Sequence, residues 1–157
     1  MDIFTVSFFG HRKLYHTEQY KSILKKHICG FIESKDYVEF LVGRDGDFDL
    51  LVSSVITKCT EMLDYGNTRH ILVLPYMRAD YRDNREYFLE YYDEVEVCPA
   101  SSEAHYKSAI TVRNRDMVDR SDLIVFCAEH KGGAYDTMKY AEKQGKEYIN
   151  IADNLKE

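Results

Sequence analysis

Asp122-Leu123-Ile124-Val125-Phe126-Cys127-Ala128 is apolar at every position after the first, and it runs through Glu129-His130-Lys131 into Gly132-Gly133-Ala134. A strand that is apolar on both faces has to be covered on both faces, which is the situation inside a parallel sheet flanked by helices. Two glycines then break the extended run. The residues after them take up helical spacing to about position 144, where Gly145 supplies a stop. Strand, glycine turn and helix in this order form one half of a βαβ unit.

The same order recurs elsewhere in the chain. Residues 3–9 read as a first strand ending at Gly10. Thr17 is placed to cap the helix that follows, with Tyr20, Ile23, Leu24, Ile28, Phe31 and Ile32 at helical spacing. Residues 37–42 (YVEFLV) read as a second strand ending at Gly43. A second amphipathic helix follows, from a cap at Asp47 through Leu63 to Gly66 and Asn67. Residues 70–75 (HILVLP) read as a third strand. Within residues 76–104 the pattern predicts a short helix near 86–91 and a short strand at 95–98, then a long helix over 105–120. Residues 147–151 (EYINI) make a last strand. Alternation of this kind predicts an α/β, three-layer Rossmann-like fold with a mostly parallel central sheet flanked by helices and right-handed connections. The 157 residues fit one domain spanning 1–157, with no repeat, linker or low-complexity tract.

Composition excludes several classes of function. A net charge of −6 argues against non-specific binding to nucleic acid, which needs a basic surface. No apolar run reaches the length of a membrane span, so no membrane partner is expected. The N-terminus lacks the features of a signal peptide. Cys29, Cys59, Cys98 and Cys127 are widely spaced without a CxxC pair, and read as buried thiols in a reducing cytoplasm rather than as a metal site. Neither a metal nor a cofactor is expected. Thirteen tyrosines occur without any tryptophan, and they cluster between Tyr76 and Tyr92. That cluster fits core packing beside the sheet edge, or alternatively a homo-oligomer or partner surface.

Three strand ends combine glycine with basic or polar residues: Gly10-His11-Arg12, Gly43-Arg44-Asp45-Gly46-Asp47, and His130-Lys131-Gly132-Gly133. In a doubly wound sheet these loops share the carboxyl edge where ligands bind. Glycine lets backbone amides approach an anion, and the helix that follows adds partial positive charge. Arg113 lies three residues after Ile110 and four before Met117, so it shares an apolar helical stripe. A guanidinium in that position needs an anionic partner, either Asp116 on the same helix or a ligand phosphate. Arg115 and Asp119 are spaced as a surface pair. His11 suits acid–base chemistry near neutrality, or a structural hydrogen bond to its loop. No Ser-His-Asp order, HExxH, Walker A or GxGxxG is present, which removes ordinary NAD-dehydrogenase chemistry.

These residues resemble the SLOG superfamily, the Rossmann-like nucleotide binders that include the LOG phosphoribohydrolases and DprA. Within it they are most similar to the YpsA-like group, which has short bacterial members. The resemblance rests on Phe8-Phe9-Gly10-His11-Arg12, on Val42-Gly43-Arg44-Asp45-Gly46-Asp47-Phe48-Asp49, on Arg113-Asn114-Arg115-Asp116-Met117-Val118 with Ser121-Asp122, and on Gly132-Gly133-Ala134. It covers nearly the whole chain, in order. It implies a parallel sheet of five or slightly more strands and a nucleotide-derived ligand; with the loops and Arg113, the leading reading is a cytoplasmic domain that senses or holds a nucleotide or an ADP-ribose-like molecule. It also implies that Thr137 stands where LOG enzymes use a threonine to bind phosphate. In those enzymes a glutamate follows in the motif PGGxGTxxE. Aligned on Thr137, that position is held here by Tyr140, so the resemblance points to binding or sensing ahead of cleavage.

The ligand-binding residues expected are therefore Gly10, His11 and Arg12, then Gly43, Arg44 and Gly46, and finally Arg113, Gly132, Gly133 and Thr137. For the alternative, cleavage of an N-glycosidic bond in a nucleotide, a carboxylate near the ribose is required. The candidates for it are Asp116 and Asp136, with Asp47 and Asp49 beside them and His11 as an acid or base. A structural protein with a degenerate site is the third alternative.

Overall fold

The computed structural model describes residues 1–155. Six strands, β1 (Ile3–Gly10), β2 (Tyr37–Val42), β3 (Thr68–Leu74), β4 (Glu94–Val97), β5 (Leu123–Cys127) and β6 (Tyr148–Asn150), form one sheet in the order β4-β3-β2-β1-β5-β6. Every pair is parallel. The chain winds from β1 out to β4, returns across the sheet, and continues on the other side of β1 with β5 and β6. The strand order therefore reverses between β1 and β5, and Gly10 at the end of β1 is level with Cys127 at the end of β5.

Strand alternation divides the core in two. Val6, Phe8, Val38, Phe40, Leu72 and Val125 face helices α1 (Thr17–Ser34) and α2 (Asp47–Leu63). Phe9, Leu41, Ile71, Val73, Ile124 and Phe126 face α6 (Tyr106–Asp119) and α7 (Gly133–Lys143). Because both faces are covered, the buried strand residues are nearly all apolar; among the described residues Ser7 and His70 are the buried polar ones. Ser7 is fully buried and shares a 2.6 Å hydrogen bond with Ser121, whose hydroxyl in turn lies 2.6 Å from the Met117 carbonyl.

Three local expectations are corrected. His16, not Thr17, holds the N-cap of α1, in a left-handed conformation with φ of 58° and no side-chain cap. Gly46 precedes α2, and Asp47 is already helical; its carboxylate accepts instead from the Leu14 amide at 3.1 Å. That helix ends at Asp64, also left-handed, two residues before Gly66. In the tyrosine-rich stretch, α4 (Arg85–Tyr91) and β4 lie close to their expected places. Two further short helices, α3 (Ala79–Asp83) and α5 (Pro99–Ser102), flank them, and a 3-10 turn (Ile151–Leu155) follows β6. No helix among the described residues is long and apolar enough to cross a membrane.

All four cysteines are free; three are buried and Cys29 is half-buried. The Cys29 and Cys59 sulfurs, on the packed helices α1 and α2, are 3.0 Å apart. Tyr81 and Tyr92 are buried in the core with Phe88, whereas Tyr87 and Tyr91 point outward.

Candidate functional site

Parallel strands all end on the same edge, so the loops after β1, β2 and β5 converge there. At the β1/β5 reversal they enclose a cleft of about 370 Å³, which is within the range of small-molecule sites. Its floor is the end of β1. Its walls are the loop after β2, one face of α6 and the first turn of α7.

Close approach of backbone is what shapes the cleft. A β-carbon added at Gly10 would stand 2.3 Å from the ring of Phe48, the fully buried first-turn residue of α2. Gly10 thus allows α2 to start directly beside the end of β1. Behind the opposite wall Gly132 has φ of 155°, a conformation that side chains disfavour, and this turns the chain from β5 into α7. No side chain caps α7, so the amides of its first turn are open to an acceptor, and Gly133 and Ala134 line the cleft.

Arg113 is the central side chain. It is only 7% exposed, yet it lines the cleft. Nη1 donates to the Val73 carbonyl at the end of β3 at 2.7 Å, and Nε donates to Asn114 Oδ1 at 2.9 Å. Nη2 makes no hydrogen bond among the described residues. Asn114 continues the chain of contacts: its amide lies 3.4 Å from the Thr137 hydroxyl, which donates to the Gly133 carbonyl. The guanidinium plane is therefore held from β3 directly and from α7 through Asn114, with one nitrogen left over. Asp116, the partner weighed for Arg113 on the same helix, turns instead to Arg120 at 3.8 Å. Arg115 does not pair directly with Asp119 either; it lies over the ring of Tyr140, whose hydroxyl donates to Asp119.

Across from Arg113 stands Asp49, in the first turn of α2. Both groups abut Gly43: a β-carbon there would be 2.9 Å from Asp49 Oδ2 and 3.5 Å from Arg113 Nη1. They do not form an ion pair. Asp49 Oδ2 accepts from the Asp45 amide at 3.2 Å, and Oδ1 has no hydrogen-bond partner among the described residues. Burial pushes the carboxyl up to about 6, against the opposing pull of Arg113 and the Asp45 amide.

His11 lines the same cleft with a structural task. Its Nε2 accepts from the amides of Glu129 and His130 at 2.9 and 3.4 Å, which pins the loop after β5 to the end of β1. The ring lies flat against His130, with centroids 3.8 Å apart. Burial, and then the neighbouring His130, lower its pKa, so the ring is neutral at pH 7 with its proton on Nδ1.

Of the residues expected from sequence, Gly10, His11, Arg12, Gly43, Gly46, Arg113 and Gly133 line the cleft. Arg12 makes no side-chain hydrogen bond or ion pair among the described residues. Gly132 shapes the turn without lining the cleft, and its β-position is 3.9 Å from His11 Nδ1. Two expected contacts, Arg44 and Thr137, do not line the cleft. Arg44 swings away onto the Phe88 ring at 4.5 Å and towards Asp80. The Thr137 hydroxyl is engaged within α7. Lys131, expected only as part of the basic edge, sits on the outer side of its loop, with Tyr135 and Tyr148, in a separate and more open depression. Neither Asp116 nor Asp136 lines the cleft, Asp47 is engaged at Leu14, and Tyr140 is turned towards Asp119. Asp49 is thus the one candidate carboxylate in place. Two lining residues, Asn114 and Asp45, lie within the quoted motifs but are not among the residues expected to bind. Asn114 is adjacent to Arg113 and off its apolar stripe, so periodicity does not pick it out.

No family model and no curated protein matches the chain. Among solved structures, the X-ray structure of DNA processing protein A (DprA) from Streptococcus pneumoniae superposes with a TM-score of 0.64 at 16% sequence identity. The match covers 93% of this chain and 49% of that one, so the chain spans about half the length of that protein. At this identity the likeness is one of fold. It agrees with the Rossmann-like fold expected from the sequence.

Proposed function

We propose that the cleft binds a nucleotide-type small molecule, a mononucleotide or an ADP-ribose-like compound, through its phosphate. The observation that carries this reading is Arg113: a buried guanidinium that lines the cleft, braced by Val73 and Asn114, with Nη2 making no hydrogen bond among the described residues, beside the uncapped start of α7. A buried cation without a protein anion in contact is costly, and a bound phosphate offsets that cost. The protein of similar fold is named for DNA processing. With a net charge of −6 this chain has little to offer a polyanion surface, which favours a small ligand in a cytoplasmic domain of the YpsA-like kind.

Isothermal titration with AMP, ADP-ribose, NAD and cyclic nucleotides tests the reading. At least one is expected to bind below millimolar. Arg113→Ala should weaken that binding roughly ten- to a hundredfold, the scale of a hydrogen bond to a charged group, while Arg44→Ala changes it less than about threefold. Absence of binding across the panel, or an unaltered affinity in folded Arg113→Ala, rejects it.

A second reading, cleavage of an N-glycosidic bond in the bound nucleotide, is favoured by the Asp49 carboxyl in the cleft, whose pKa of about 6 suits proton transfer near neutrality. Base release from a nucleotide panel that is lost in Asp49→Asn would support it; no release from any nucleotide that binds discards it. The outward rings of Tyr87 and Tyr91 are the surface on which a homo-oligomer would form.

A further inference from the structure

Asp49 makes the cleft unlike a plain anion cradle. A site built only for phosphate would be lined by donors, because every phosphate oxygen is an acceptor. Here a carboxylate, itself an acceptor, faces the same space as Arg113, close enough that both abut one glycine without touching each other. Both side chains line the cleft, and each keeps an atom without a hydrogen-bond partner among the described residues: Nη2 of Arg113 as a donor, and Oδ1 of Asp49 as an acceptor. Neither atom is a fully enclosed orphan, since among the described residues the enclosed side-chain polar atoms without a partner are Tyr20 Oη and Asn67 Oδ1. Both atoms are therefore open to a ligand.

The chemistry that fits an acceptor and a donor side by side is a group carrying hydroxyls next to a group carrying negative charge. A carboxylate takes hydrogen bonds from vicinal hydroxyls through its free lone pairs. Carboxylates near the end of a second parallel strand recognise ribose hydroxyls in doubly wound folds by this means. Asp49 is seven residues past the end of β2. Its position is fixed by Oδ2, which is held by the Asp45 amide, and Asp45 is in turn held by Arg78. An acceptor anchored in this way is preorganised and needs no ordering when a ligand arrives.

Resting on the reading of the cleft as a nucleotide site, we propose that Asp49 Oδ1 accepts from the ribose hydroxyls while Arg113 Nη2 and the start of α7 hold the phosphate, so that the site selects ribonucleotides over 2′-deoxyribonucleotides. The pair thus sets specificity: Arg113 supplies affinity for any nucleotide, and Asp49 supplies the distinction between sugars.

Titration of the full chain with AMP and with 2′-deoxy-AMP at pH 7.5 tests this without altering the protein. AMP is expected to bind roughly ten- to a hundredfold more tightly, the loss associated with a hydrogen bond to a charged acceptor. In Asp49→Ala, checked for folding by its melting curve, AMP should fall to the level of 2′-deoxy-AMP and the ratio should approach one. Should that variant not fold, Asp49→Asn, which keeps one acceptor and the side-chain volume, is expected to give a reduced ratio. Equal binding of the two nucleotides by the wild type overturns the proposal while leaving the nucleotide site intact. A ratio that persists in folded Asp49→Ala assigns the distinction to another residue and overturns it as well. Binding of neither nucleotide nor of any other member of the panel removes the nucleotide reading itself, and this inference with it.

Discussion

The cleft at the β1/β5 reversal and the neighbouring edge along β3 and β4 are made of the same materials, arginines, aspartates and aromatic rings, arranged to opposite ends. Along the β3–β4 edge the groups are used up. Arg78 is shared between Asp45 and Asp80, Arg44 lies on Phe88, and Arg85 lies near Tyr81. Tyr81, Phe88, Tyr92 and His70 pack ring against ring. His70, held 3.0 Å from the Ser53 hydroxyl, is pushed down to about 4 by burial and stays neutral. In the cleft, by contrast, Arg113 keeps one nitrogen, Asp49 one oxygen and α7 its first amides without protein partners among the described residues. Charge or burial alone does not separate the two regions. Unspent hydrogen-bonding capacity next to open space does.

The sharpest way to break the comparison is at the glycines. Gly10→Ala would drive its β-carbon into the base of the Phe48 side chain at the cleft floor, and is expected to lower stability by about 2–3 kcal/mol, read by denaturant unfolding. Gly30, in the exposed interior of α1, has nothing within 4 Å of an added β-carbon. Gly30→Ala should therefore raise stability by about 0.5–1 kcal/mol. Loss of stability in both variants would mean that the tight packing at Gly10 is not specific to the cleft.

A subtler effect is expected at Asp49. Its folded pKa of about 6 lies above the ordinary carboxyl value of 3.8. The folded chain therefore binds the extra proton between those values, and this group's contribution is fully present below about pH 4 and lost as pH rises through 6. Asp49→Asn should thus stabilise the free protein by roughly 1–2 kcal/mol at pH 7.5, a few degrees in Tm, and by almost nothing at pH 4. A gain of this kind is expected of a residue kept for a ligand at the expense of the empty fold. A variant that is less stable than wild type at pH 7.5 would make Asp49 a structural residue like those of the β3–β4 edge.

Much of the fold and part of the site are legible in the order of residues. The long apolar strands ending in glycine mark all three loops that meet at the cleft, and the spacing of Arg113 within an apolar stripe marks its burial. Directions of side chains are not legible. Arg44 stands on the correct edge, but an aromatic face and an aspartate from the next connection draw it away. Asp116 is spaced to meet Arg113, yet the guanidinium turns under the helix to a carbonyl of β3, 40 residues back in the chain. Helices of four and five residues, α5 and α3, are too short to show a period at all. Asp49 has no periodic signal separating it from Asp45 and Asp47; only the tertiary arrangement brings its carboxylate and Arg113 against the same glycine.

The most direct measurement is a crystal structure grown with saturating AMP. Electron density for the phosphate is expected between the Gly10 loop and the first turn of α7, within hydrogen-bond distance of Arg113 Nη2. A cleft that stays empty, or a phosphate bound elsewhere on the surface with Arg113 unchanged, would contradict the assignment of this cleft as the nucleotide site.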